Sequence, residues 1–160
     1  KEKLHSMLVK PHLGYAIAAW DPYTDKNIIN LERVQNVAAR FITRTYGRDT
    51  SVTAVKNSLG WIPLQEERQK TRITCLYKMI HVSMDINYSQ YITPKGERAR
   101  RGHDQQFQVA LVRTDTHAYS FFPRTVKDWN NLSLSVVNQP SINTFKASLN
   151  GTSAALKAAP

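Results

Sequence analysis

Four side chains belong to the types that metal-assisted hydrolysis uses: His103, Asp104, Asp115 and His117. A two-metal nuclease needs its carboxylates to converge within about 4 Å of the metals. These four lie in stretches without apolar periodicity, so nothing in the pattern brings them together, and a nuclease is the weakest reading. No glycine-rich phosphate cradle and no adjacent pair of aspartates occurs anywhere. The histidines at 5, 12, 81, 103 and 117 never fall at metal-ligand spacing. Cys75 is the only cysteine, which excludes a disulfide framework and a cysteine-based zinc site. The chain is expected to hold no metal and no cofactor, and no small-molecule substrate is implied.

Charge is the stronger signal. The 160 residues carry 22 Lys and Arg against 12 Asp and Glu, a formal net charge of +10. Residues 1–80 hold 13 cations and 7 acids, and residues 81–160 hold 9 and 5, so both halves are basic. Such an excess favours a polyanionic partner, nucleic acid before membrane. On a helix at roughly 100° per residue, Lys26, Arg33, Arg40 and Arg44 fall within roughly 40° of one another. Lys95, Arg98, Arg100 and Arg101 crowd a glycine-punctuated loop that ends near His103. Phosphate contacts need only cations in the right place and no base-edge code. A solvated surface is the bland alternative for both groups. Arg68 and Arg72 differ, because helical spacing sets them beside Leu64, Cys75 and Met79. A guanidinium there needs a partner: a structural salt bridge, carbonyls of another segment, a backbone phosphate or a group on an absent domain.

The elements that would position these groups read as mainly α. With 41% hydrophobic and 9% aromatic residues the chain can form a core. The apolar run Leu8 to Trp20 is interrupted by Lys10, Pro11 and His12, too short to span a bilayer. Pro11 either kinks one helix or starts a second. Thr24 or Asp25 caps a long helix to about Thr45, with Leu31, Val34, Ala38, Phe41 and Ile42 on its apolar sector. Gly60 ends a short helix at its C′ position. A further helix runs from about Leu64 to His81, with Leu64, Cys75, Leu76, Met79 and Ile80 inward. Phe107, Val109 and Leu111 alternate, and a short hairpin with Tyr119 and Phe121 is expected. Pro123 opens a helix that buries Val126, Trp129 and Asn130 and turns Arg124, Lys127 and Asp128 outward. Trp129 is its core anchor. Ser141 caps a last helix to about Leu149.

The ordered set Trp20-Asp21-Pro22-Tyr23, Leu31-Glu32-Arg33-Val34-Gln35, Ala38-Ala39-Arg40-Phe41-Ile42, Leu59-Gly60-Trp61, Leu64-Gln65-Glu66-Glu67-Arg68, Phe121-Phe122-Pro123 through Trp129-Asn130, and Pro140-Ser141 with Phe145-Lys146 has a counterpart. It resembles the region that follows the polymerase core in non-LTR retrotransposon reverse transcriptases of the jockey and chicken-repeat type. The resemblance covers residues 7 to 149. It implies a thumb-like helical bundle over residues 1–83, a basic loop or linker over 84–106, a small helical lobe over 107–150 and a disordered tail over 151–160. It further implies a piece of an RNA-directed DNA polymerase that lacks the palm and its magnesium-binding carboxylates, and so is inactive alone. The implied partners are an RNA template, a primer or their hybrid, and the missing palm and fingers. An intracellular setting is expected, nuclear or in a cytoplasmic ribonucleoprotein. A stand-alone protein-interaction module from a decayed or host-retained element is the alternative.

Overall fold

The computed structural model describes residues 1–47, 49–82, 86–96 and 103–151. The architecture is mainly α-helical, as the periodicities predict, without a sheet among the described residues. None of the described helices is long and apolar enough to cross a membrane. The chain divides into two compact units, Lys1–Arg68 and Gln69–Pro160. The division falls inside the helix Leu64–His81 rather than near residue 83, because Ile73, Leu76 and Tyr77 belong to the second core.

In the first unit a helical run leads from Glu2–Leu4 through the π-helical His5–Val9 into Lys10–Gly14. Pro11 sits in the first turn of that last piece. Proline removes a donor and crowds the carbonyl four residues back, and the wider π spacing just upstream accommodates both effects. Ala16 adopts a left-handed φ of 49°, which separates this run from Ile17–Trp20. The Trp20 indole closes the break by donating to the Tyr15 carbonyl. Helix α1, Asp25–Thr43, starts after Thr24 in extended conformation and ends at Arg44, which is left-handed at φ 56°. Helix α2, Val52–Ser58, ends as its sequence dictates. Gly60 takes φ 67° and donates to the Asn57 carbonyl, while Trp61 donates to that of Lys56. These are the two bonds of a Schellman cap.

Polar contacts tie the first unit together. Glu32 on α1 accepts from Lys56 Nζ at 3.3 Å and from the Gln65 amide at 3.0 Å, so one carboxylate also caps helix α3, Leu64–His81. An anion suits that position, where amides lack partners. Gln35 donates to the Ile62 carbonyl, and His5 stacks on Trp61 with ring centres 4.4 Å apart. The buried apolar side chains described in this unit are Ile17, Ala39, Val55 and Leu64.

The second unit has a fuller core. Trp129, Tyr77, Phe145, Ile73, Leu76 and Leu149 are almost wholly enclosed. They come from α3, from α4, Phe121–Asn130, and from α5, Ile142–Gly151. Helix α4 starts at Phe121, two residues before Pro123, which lies buried in its first turn. Ser141 and Thr144 cap α5 reciprocally, each side chain accepting from the other's amide. The expected hairpin does not form. Residues Asp115–Ala118 are helical and Tyr119 leads into α4, so the partner strand is lost to helix. Phe107 instead bridges Pro94, with Lys95 N donating to Gln106 O and Gln108 N to Thr93 O, both at 2.8 Å.

Part of the segment 84–106 joins the second unit's core. Ile92, His103 and Gln106 are buried and Phe107 joins the core. The end of α4 holds the segment. Trp129 Nε1 donates to Gln105 O at 2.8 Å, and Gln106 Nε2 donates to Asn130 O at 3.0 Å. The Asn130 amide accepts from Phe107 N and donates to Phe107 O, taking the place of a neighbouring strand. Residues 97–102 and 152–160 lie outside the described residues, and with them most of the expected basic loop and tail.

Candidate nucleic-acid interface

The candidate cations separate into engaged and accessible ones. Arg68 is buried and its Nε contacts Asp21 Oδ1 at 2.8 Å. Arg72 is buried and its Nη2 contacts Asp128 Oδ2 at 2.9 Å, while Gln69 holds Oδ1 of the same carboxylate. Burial pushes the Arg72 guanidinium below its ordinary value, nearby Arg124 adds to the shift, and Asp128 opposes it. Both arginines are therefore spent on internal ion pairs, and a phosphate would have to displace a carboxylate. Asp128, expected outward, is turned toward α3, and Arg124 is half-buried. The outward face of α4 is narrower than its spacing predicts because Asp128 turns to Gln69 and Arg72 of α3.

On α1 the buried stripe is not the expected one. Gln35 and Ala39 face inward, flanked by the half-buried Ile28, Leu31, Glu32, Ala38 and Ile42, whereas Val34 and Phe41 of the expected sector are 44% and 53% exposed. The inner stripe follows hydrogen-bonding duty, since Glu32 and Gln35 reach α3 and the Ile62 carbonyl. The helix is thereby rotated, and one edge of its apolar sector, Val34 and Phe41, is left open. Val37, one turn before Phe41, is 68% exposed.

Lys26, Arg33 and Arg44 are exposed on the adjoining sector. Arg33 makes only a long contact with Asn30 Oδ1 at 3.5 Å, and no carboxylate pairs with any of these three among the described residues. Arg40 is half-buried and reaches the carbonyls of Gly47 and Thr50 at 3.4 and 3.5 Å, which fixes the loop after α1. It supports the stripe more than it extends it. Beyond the helix end Tyr46 is 64% exposed. Phe41 follows Arg33 and Val37 at intervals of four residues, so helical spacing sets the ring on the side of the cations. That signal is present in the sequence, but the apolar count assigns Phe41 to the core. In the second unit Lys95 is exposed, and Arg98, Arg100 and Arg101 lie outside the described residues.

The hydrolytic set does not assemble. His103 is buried with Nε2 at 3.2 Å from the Trp129 carbonyl, whereas Asp104, Asp115 and His117 are exposed. Among the described residues no group of three or more His, Cys, Asp and Glu side chains could hold a metal ion.

No protein-family model, no curated protein and no solved structure matches the chain.

Proposed function

We propose that this chain is the region following the polymerase core of a non-LTR retrotransposon reverse transcriptase, and that it holds a nucleic-acid backbone without reading its sequence. The observation that carries the binding half of this reading is the stripe of Lys26, Arg33 and Arg44, exposed on one side of α1 and free of carboxylate partners among the described residues. The family half rests on the order of the sequence motifs. Template RNA, primer or their hybrid would lie along the cations, and chemistry would belong to a palm elsewhere in the parent polypeptide. Its setting would be the nucleus or a cytoplasmic ribonucleoprotein.

The test is affinity for an RNA–DNA hybrid across a salt series, wild type beside Lys26→Gln/Arg33→Gln. Each lost phosphate contact should flatten the logarithmic salt slope by about one unit and weaken unrelated sequences equally. An unchanged slope would remove α1 from the interface. Templated nucleotide incorporation by the purified chain would sink the assignment to a post-polymerase region.

A second reading draws on the second unit. Leu111 is completely exposed and Val109 and Tyr119 are nearly half exposed, open apolar side chains of the kind a protein partner covers. Association through them would hardly respond to salt.

A further inference from the structure

The cations of α1 are interleaved with open aromatic and apolar surface. Arg33, Val37 and Phe41 follow one another at intervals of four residues, which makes them neighbours along the exposed side of α1, and Arg44 is exposed just past its last turn. Tyr46 adds a second open ring just past the helix end. Lys1 Nζ lies 4.4 Å from the centre of the Phe41 ring, so a cation already reaches that face. From Arg33 to Arg44 the row extends on the order of 16 Å at 1.5 Å per residue.

Cations alone hold any nucleic acid, paired or not. An open ring beside them adds a term that a duplex cannot collect, because paired bases keep their faces stacked inside the helix. Every unpaired base offers a π-face, so this term is tolerant of sequence. We propose that this surface binds an unpaired nucleic-acid strand, its phosphates against Lys26, Arg33 and Arg44 and bases stacked on Phe41 and Tyr46. This rests on the backbone-binding reading above and narrows its ligand from nucleic acid in general to single strands.

Positions 41 and 46 are open, so replacing their rings leaves the core intact. Fluorescence anisotropy of the full chain with labelled oligouridylate, beside an RNA duplex of equal length, tests the assignment. Phe41→Leu and Tyr46→Leu should each lower the affinity for oligouridylate about tenfold, within the range for loss of one stacked base, and leave the duplex affinity unchanged. Phe41→Trp should keep or raise it. Lys26→Gln/Arg33→Gln should weaken both ligands. Leucine variants that bind oligouridylate within twofold of wild type, beside a charge variant that weakens both, would overturn the stacking and leave the backbone reading standing. Phe41, Val34 and Val37 would then pass to a protein partner. No binding of either ligand by the wild type at low salt would overturn both.

Discussion

At Asp128 one carboxylate answers two donors from a single helix, Gln69 through Oδ1 and Arg72 through Oδ2, each at 2.9 Å. Removing one member of a buried ion pair costs far more than replacing both by apolar groups. Asp128→Ala should therefore lower unfolding stability by on the order of 3 kcal/mol. The double variant Arg72→Met/Asp128→Leu should lose less than that single change, as urea denaturation would report. His5 offers a different probe. Burial against Trp61 and the charge of Lys10 lower its pKa, with Glu67 opposing. A lowered value means that the unfolded chain binds the proton more tightly. The contribution of His5 is then fully present above its unfolded value of about 6.5 and is lost as the pH falls through the lower folded one. Melting temperatures between pH 7.5 and 5 should fall less steeply for His5→Phe than for the wild type.

Among the elements, α2 shows how a helix end can be read in advance. Gly60 at C′ has the φ that only glycine adopts without strain, and no atom lies within 4 Å of where a Cβ would stand. Gly60→Ala should therefore cost about 1–2 kcal/mol through backbone strain alone, with no steric part, and Gly60→Asn less. Thermal melts of the two variants would separate these outcomes. The caps at Gly60 and Ser141 were legible because each depends on residues within one turn, and the α3 span and the buried Trp129 because the apolar period of each helix marks them. The inward stripe of α1 was not, because it follows Glu32 and Gln35 to partners about 30 residues away. The role of Asn130 was hidden for the same reason: its partner, Phe107, lies in a segment whose alternation reads as a strand. Of the candidate interface, the shared side of Lys26 and Arg33 was visible in the spacing, but the turning of Arg40 to the Gly47 and Thr50 carbonyls was not. The openness of Phe41 was hidden by that same rotation of α1.

For the whole molecule, the two units hold unequal cores. Four described apolar side chains are buried in Lys1–Arg68, against an aromatic-rich cluster around Trp129 in the other unit. Enclosed apolar contact governs how often a region opens to solvent, so the difference becomes one of time. Amides of α1 should exchange with deuterium well before those of α4, a contrast that mass spectrometry of peptic fragments would resolve. Equal rates would mean that polar ties such as Glu32 to Lys56 hold the first unit as firmly as its neighbour's core. Oligouridylate at a hundred times its dissociation constant should add about 2.7 kcal/mol to a region it binds only when closed, slowing exchange there about a hundredfold. Protection gained along α1, with α4 unaltered, would mark where the proposed strand lies on this thinly filled unit.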